Sequence, residues 1–199
     1  MERPPRRRPP GGPGVADAGT LASRWAAYRP AAAAGEPLVD LAIRSAKRPD
    51  CAIVAAIEAS RDGSDVEGAR ARCETQLADP DALLLVATVD GRVVGFARSG
   101  RLRRPDDATA DAVPDGWYLL GVVVVDALRR RGIGRALTRA RLAWIADRAD
   151  VAFYFANARN RASIDLHAEF GFVELSRRFS APGVAFEGGR GILCRLVLR

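Results

Sequence analysis

Arginine and glycine cluster in one short run in the second half of the chain, and both residue types suit the binding of an anion. The run from Arg129 to Arg135 reads RRRGIGR. Glycine has no Cβ, so the backbone at Gly132 and Gly134 can approach a bound group closely. Arginine adds a planar, permanently charged set of donors. Together these residues predict a site for a phosphate-bearing ligand.

The run lies between a predicted strand and a predicted helix. Residues 117–125 are almost all apolar and rich in valine, which is typical of a strand buried on both faces. A helix is expected to begin at the glycines, because apolar residues then recur at helical spacing: Ile133, Leu137, Ala140 and Trp144. The first-turn amides of a helix lack intrahelical partners, and the helix dipole adds positive charge there, so this position strengthens the anion site.

Two well-known phosphate-binding motifs do not fit this run. The P-loop ends in Gly-Lys followed by Ser or Thr, whereas Gly134 is followed by Arg135 and Ala136. The dinucleotide fingerprint needs a third glycine at the position that Leu137 occupies. The pattern that remains is Arg-x-x-Gly-x-Gly, from Arg129 to Gly134.

The composition is that of one globular domain. The chain has 199 residues, of which 48% are hydrophobic and 28% charged, enough for a single full core. No apolar run reaches the ~18 residues of a membrane-spanning helix, so no membrane partner is expected. The N-terminus lacks the apolar stretch of a signal peptide, so a cytoplasmic location is predicted. Cys51, Cys73 and Cys194 are far apart and lack metal-ligand spacing, so free thiols and no metal are expected.

The net charge of +7 is concentrated in two places. Residues 1–36 are rich in Pro, Arg, Gly and Ala, and six arginines against three acidic residues give them +3. This composition predicts a disordered tail that precedes a folded domain over residues 37–199. The remaining charge of +4 includes the four arginines of the glycine run, and one polyanionic cofactor explains it as well as nucleic acid does. Aromatic and basic residues are not interleaved, so no nucleic-acid partner is expected.

The order of the predicted elements indicates an α/β fold with a mixed sheet. The predicted strands are residues 39–43, 82–88, 92–99, 117–125, 150–156, 172–179 and 192–198. Two helices precede the hairpin at Asp90-Gly91, one begins at the glycine run, and one is capped by Asn160 and ends at Gly171. Only the central strand–helix–strand unit has to be parallel, with a right-handed crossover.

Two blocks of residues resemble the GNAT superfamily of acetyl-CoA-dependent N-acetyltransferases. Arg129 to Gly134 is similar to the family's Arg/Gln-x-x-Gly-x-Gly/Ala turn, which lies at this strand-to-helix junction. Asn160 to Phe172, NRASIDLHAEFGF, is similar to its Asn-x-x-Ala/Ser-x-x-x-Tyr-x-x-x-Gly-Phe block. The resemblance implies a GNAT-like fold over residues 37–199, with a mixed, mostly antiparallel, twisted sheet of about seven strands flanked by about four helices.

The resemblance implies acetyl-CoA as the co-substrate. In the family the glycine turn holds the pyrophosphate of CoA, the end of the preceding strand pairs with the pantetheine arm in the manner of β-augmentation, and the block's asparagine hydrogen-bonds that arm. The cofactor-binding residues expected here are Val122, Val123, Val124, Arg129, Arg130, Arg131, Gly132, Ile133, Gly134, Arg135 and Asn160.

The implied reaction is acetyl transfer to a primary amine of a small molecule by direct attack within a ternary complex. It needs a base for the amine, a donor to the oxyanion and an acid for the departing thiolate. His167, the single histidine, occupies the position of the family's acid tyrosine, and a packing role is the alternative. Asp115 is the candidate base, with Glu187 and Asp65 as further candidates.

Several classes of acceptor amine are compatible with the sequence. Four aspartates in residues 100–116 favour a cationic amine, although three arginines in the same segment offset most of that charge. A non-catalytic acyl-CoA-binding sensor and a protein N-acetyltransferase are the alternative functions. A homodimer is one possible assembly, because many members of the family are dimers.

Overall fold

Seven strands and four α-helices make up the part of the chain that the computed structural model describes, residues 35–36, 38–181 and 183–198. The strands are β1 (Ala42–Ser45), β2 (Ala82–Val89), β3 (Arg92–Leu102), β4 (Gly116–Val124), β5 (Val151–Asn157), β6 (Val173–Ser176) and β7 (Gly191–Val197). The helices are α1 (Asp50–Asp62), α2 (Val66–Ala78), α3 (Ile133–Ala146) and α4 (Arg161–Ala168). The tail predicted for residues 1–36 lies outside the described residues except for Gly35 and Glu36.

All seven strands belong to one sheet with the order β1-β2-β3-β4-β5-β7-β6. Each neighbouring pair is antiparallel except β4 and β5, which are parallel and joined through α3. The prediction of a mixed, mostly antiparallel sheet of about seven strands with about four helices is therefore confirmed. The predicted hairpin is also confirmed, since Asp90 and Gly91 both have positive φ, 49° and 73°, as a tight two-residue turn requires.

Helices cover both faces of the sheet, and successive residues of β4 point to opposite faces, with one shift of the alternation at the unpaired Leu120. On one face Trp117 and Leu119 pack with Leu142 and Ile145 of α3. On the other face Val123 packs in a cluster built largely from α1, α2, β2 and β3. This explains the unbroken apolar run in β4. No helix among the described residues is long and apolar enough to cross a membrane.

Two of the three cysteines are paired, which corrects the prediction of free thiols. Cys51 of α1 and Cys73 of α2 form a disulfide with a Cα–Cα separation of 5.5 Å, and both residues are 0% exposed. The chain reverses between the helices at Gly63, whose φ of 69° is left-handed, so α1 and α2 pack side by side. Residues far apart in sequence therefore meet across the helix pair. Cys194 is a free, buried thiol, as predicted.

Candidate functional site

A cleft opens where β4 and β5 diverge. The two strands pair at three positions only, the last being Leu119 with Tyr154. Beyond them β4 stays paired with β3 as far as Val124, while β5 stays paired with β7 as far as Asn157. The β4 wall of this cleft, Gly121–Val124, has no strand partner on its β5 side within the described sheet.

An extra residue in β4 marks the start of the cleft. Arg98 of β3 lies opposite Gly121 and Ser99 lies opposite Leu119, so Leu120 has no counterpart across the ladder. Such a bulge redirects the backbone, and bulges are common beside active sites. The bulge was not predicted, although a glycine inside a strand, here Gly121, is a known sequence signal for a bulge.

Val122, Val123 and Val124, the three strand residues predicted to bind the cofactor, lie on the β4 wall of the cleft. Their side chains are occupied in the core, with Val122 and Val124 packed on the α3 face and Val123 on the opposite face. Only their main chain is therefore available to a ligand in the cleft. An extended, amide-bearing molecule suits an unpaired strand edge of this kind.

The glycine run forms a tight turn directly after β4. Arg130 and Gly132 are both left-handed, with φ of 65° and 84°, and α3 begins at Ile133 as predicted. Backbone that includes left-handed residues can direct neighbouring N–H groups toward one point, which creates a concave anion site at a helix N-terminus. The Ile133 side chain is 1% exposed and belongs to the core, so this residue offers a ligand only its amide.

The arginines of the turn have different partners. Arg129 folds back on β4, with Nε donating to the Val124 carbonyl at 3.2 Å, and Arg131 donates to the carbonyl of Glu36 at 3.0 Å. Arg135 forms an ion pair with Glu169 at 2.7 Å, in which both side chains are about half exposed, and such pairs exchange readily. Arg130 is exposed and has no ion pair or hydrogen bond among those of the described residues.

Asn160 begins α4 on the β5 side of the cleft. Its side-chain oxygen accepts the backbone N–H of Ser163 at 3.1 Å, which confirms the predicted N-cap. Gly134 of α3 lies close to this helix, because a Cβ built on it would be 3.5 Å from Leu166. The start of α3 therefore lies near the last turn of α4.

His167 is packed inside the protein, with 3% of its surface exposed. Its ring stacks on Tyr154 with a centroid distance of 4.0 Å, and Nδ1 lies 2.7 Å from the Ser163 carbonyl oxygen. Because a carbonyl can only accept, Nδ1 carries the proton. Nε2 is buried without a partner among the described residues. Burial, together with the charge of Arg141, lowers the pKa of His167 to about 3, so the ring is neutral at pH 7.

The acid role of His167 stays a prediction, and the buried environment of the ring limits how the residue could donate a proton. A neutral imidazole with its proton on Nδ1 has only a lone pair at Nε2. The residue can act as an acid only if Nε2 gains a proton when the site is loaded. The packing role that was the alternative needs no such step.

The burial of His167 predicts a dependence of stability on pH. In the unfolded chain a histidine titrates near pH ~6.5, whereas the folded ring resists protonation to about pH 3. The unfolded state therefore takes up the proton first as the pH falls, and the free energy of unfolding should drop by about 2 kcal/mol between about pH 7.5 and pH 5. His167→Phe keeps an aromatic ring and should remove this part of the slope. Urea unfolding of both proteins at the two pH values measures it, and equal slopes would contradict the assignment.

Asp115 and Asp65, two of the three candidate bases, have partners outside the cleft. Asp115 is exposed just before β4 and accepts the backbone N–H of Arg104; it lies five residues before Leu120, which is roughly 16 Å along an extended strand. Asp65 caps α2 by accepting the N–H of Gly68 at 2.6 Å. The side chain of Glu187 lies outside the described residues. The role of Asp115 as base stays a prediction that needs intervening water molecules.

A cavity of about 490 Å³ opens on the opposite side of the bulge from α3. It lies between α2 and the β3–β4 pair, and Leu120 forms part of its wall. The charged residues in its lining are Arg72, Asp79 and Arg101. The cavity thus lies against α2, the second of the two helices predicted before the hairpin.

Arg141 lies in this region and was not among the predicted site residues. It is 0% exposed on α3, and burial lowers its pKa to about 9, so it stays charged at pH 7. The sequence contains a pattern that indicates the burial of Arg141, because Leu137, Arg141 and Ile145 recur every four residues on the buried stripe of the helix. A lone arginine on such a stripe is rarely fully buried without a partner.

Known proteins share both the sequence pattern and the fold. Residues 55–172 match the family described as "Acetyltransferase (GNAT) family". The chain is 30% identical over 105 residues to aminoglycoside N(6')-acetyltransferase type 1 of Klebsiella aerogenes, an alignment that covers 51% of this chain and 66%, just under two thirds, of that protein.

Solved structures with the same fold were also found. The ribosomal-protein-alanine N-acetyltransferase of Brucella melitensis has a TM-score of 0.61 and 26% identity, covering 79% of this chain and 99% of that one. The protein yncA of Salmonella typhimurium, solved with its cofactor acetyl-CoA, has a TM-score of 0.61 and 23% identity, covering 80% and 95% of the two chains. At that identity the second likeness concerns the fold.

Proposed function

Because the chain belongs to the acetyltransferase (GNAT) family, we propose that it transfers the acetyl group of acetyl-CoA to a primary amine of a small molecule, by direct attack in a ternary complex. One observation carries the proposal: the cleft between β4 and β5 leads directly into the glycine turn at the start of α3. An unpaired strand edge and an amide-lined anion site therefore follow one another along a single path.

The residues present fit CoA. The turn from Arg131 to Arg135 would hold the pyrophosphate through backbone amides, with the exposed Arg130 and Arg135 adding charge. The main chain of Val122–Val124 would bind the amide-bearing arm, and Asn160 at the start of α4 would hydrogen-bond it from the β5 side of the cleft. Acetyl-CoA would supply the acetyl group as a thioester, and the residues of the turn and of β4 would hold that thioester in place.

The order of β4 and the glycine turn along the chain sets the direction in which bound CoA would lie. The turn follows the end of β4, so an arm that leaves it along Val124 and Val122 runs backwards along the strand toward the bulge at Leu120. The thioester would then lie at the bulge, next to the cavity between α2 and the β3–β4 pair. An amine that enters through the cavity meets the thioester carbon there, where bound reactants gain from proximity and orientation.

The charged residues around the cavity indicate which kind of acceptor amine would bind there. The aspartates that favoured a cationic amine lie in the segment before β4, whereas the cavity lining itself holds Arg72 and Arg101 against Asp79. Aminoglycoside acetylation, the activity named for the Klebsiella relative, supports a small-molecule amine. The lining supports one that also carries a neutral or anionic group beside the amine.

The test of this function is a thiol-release assay with acetyl-CoA against four classes of amine: an aminoglycoside, a polyamine, an amino acid and a peptide with a free N-terminus. We expect thiol release that depends on the amine, with a product heavier by one acetyl group in mass spectrometry. Turnover of the peptide alone would favour the protein N-acetyltransferase alternative. Tight binding of acetyl-CoA with no turnover in any class would favour the sensor.

A further inference from the structure

A positive charge is buried beneath the bulge of β4. The guanidinium of Arg141 donates from NH1 to the carbonyl of Gly121 at 3.1 Å and to the carbonyl of Arg98 at 3.2 Å. NH2 donates to Thr138 Oγ1 at 2.9 Å. Gly121 and Arg98 lie opposite each other across the β3–β4 ladder, directly beside the unpaired Leu120. One side chain thus binds both strands at the bulge.

No carboxylate neutralises this charge in the described structure. None of the ion pairs of the described residues includes Arg141, and its Nε has no hydrogen-bond partner. On the α4 side the nearby titratable group is His167, whose pKa the charge of Arg141 helps to lower. On the opposite face of the sheet the side chain of Arg98 is itself paired with Glu58 at 2.6 Å.

An uncompensated buried cation is costly, because carbonyl and hydroxyl dipoles replace only part of the hydration it loses. A hydrophobic residue of similar length would fill the same space on the stripe of α3 without that cost. The charge therefore indicates that an anion forms nearby during function. The inference that follows rests on the proposed function, which places the thioester at this bulge.

We propose that Arg141 is a positioning residue that holds the bulge and stabilises negative charge at the thioester. As an amine nitrogen bonds to the thioester carbon, the C=O electron pair moves to oxygen. When the carbonyl re-forms, the C–S bond breaks and its electrons leave on the CoA sulfur, while the amine's proton passes to water.

The Gly121 carbonyl belongs to the same peptide unit as the Val122 N–H. A cationic donor on the carbonyl strengthens the N–H as a donor to the cleft, since hydrogen bonds in a chain polarise one another. The charge of Arg141 acts on the same anion directly, through an interior where charges are poorly screened.

Arg141→Gln tests the inference, with Arg141→Lys as the variant that keeps the charge. Arg139→Gln on the exposed side of the same helix is the matched control. We expect Arg141→Gln to lower kcat roughly tenfold to a hundredfold with little change in the KM for acetyl-CoA, which is less than the ~10²–10³ lost with a direct oxyanion donor. Arg141→Lys should recover part of kcat, and Arg139→Gln should match the wild type.

A second measurement does not require turnover. The thiol pKa of enzyme-bound CoA, followed by the ultraviolet absorbance of the thiolate, should be lower in the wild type than in Arg141→Gln. An equal thiol pKa with kcat within about twofold would overturn the inference, as would a loss confined to KM or to thermal stability.

If Arg141→Gln does not fold, the thiol pKa in Arg141→Lys decides: a value near that of the wild type supports the inference, and a value equal to that of free CoA overturns it. If CoA does not bind the wild type at all, the proposed function fails. If CoA binds and the wild-type thiol pKa equals that of free CoA, this inference alone fails.

Discussion

Gly134→Asp should abolish the binding of CoA while leaving the protein folded. The substitution places a carboxylate in the first turn of α3, where the backbone amides would otherwise hold the pyrophosphate. The new charge occupies the anion site and repels the phosphates, and we expect the affinity for CoA to fall at least ~100-fold, about 3 kcal/mol in binding free energy. Isothermal titration with CoA measures the loss.

Stability should move in the opposite direction. A Cβ at Gly134 would meet Leu166 at 3.5 Å, an ordinary contact, and a carboxylate at a helix N-terminus stabilises the helix by about 0.3–1 kcal/mol. The melting temperature should therefore stay equal or rise. Ala143→Asp, exposed further along α3, adds the same charge away from the turn and should leave CoA affinity unchanged. Unaltered binding in Gly134→Asp would exclude the turn as the pyrophosphate site.

Loss of the disulfide between α1 and α2 should reduce the free energy of unfolding by roughly 3 kcal/mol in Cys51→Ala/Cys73→Ala, because the bond closes a loop with a sequence separation of 22 and constrains the unfolded chain. Both cysteines lie in the core against Val54 and Phe96, so the variant also loses two buried sulfur atoms. Urea denaturation of the double variant and the oxidised wild type measures the difference.

Cys194→Ala separates the two contributions. Cys194 is also buried, 4% exposed, but is not bonded, so its replacement reports the cost of losing one buried sulfur without a cross-link. A double variant that is destabilised by no more than twice the Cys194→Ala effect would show that the bond contributes nothing. Alkylation of the unfolded wild type with and without reductant tests the pairing itself, with one reactive thiol expected before reduction and three after.

Local sequence patterns predicted the helices, the strands and the glycine turn before α3. The start of α3 at the glycines, the cap of α4 by Asn160 and the hairpin at Asp90-Gly91 each depend on neighbours within a few residues. Helix periodicity, capping and turn preferences operate over that distance. The family resemblance rests on the same short blocks, and the match to residues 55–172 agrees with it.

The candidate base and the candidate acid show that local sequence patterns do not predict the three-dimensional surroundings of a side chain. Asp115 is next to β4 in the sequence, but it precedes the strand, whereas the cleft is at the other end of β4. His167 was placed by its position in the second block, but its protonation depends on Tyr154, Ser163 and Arg141, which surround it only in the folded chain. A position in a motif gives the location of a residue and not its electrostatic environment.

The amino-acid sequence by itself determined the fold class, the order of the elements and the glycine turn on which the family resemblance rests, because these follow from interactions between residues close together in the chain. Only the tertiary structure decided that Cys51 and Cys73 are bonded, that Leu120 bulges out of β4 and that Arg141 is buried beneath it. Those features depend on strand register and on which helix faces meet, and neither is encoded within any single segment.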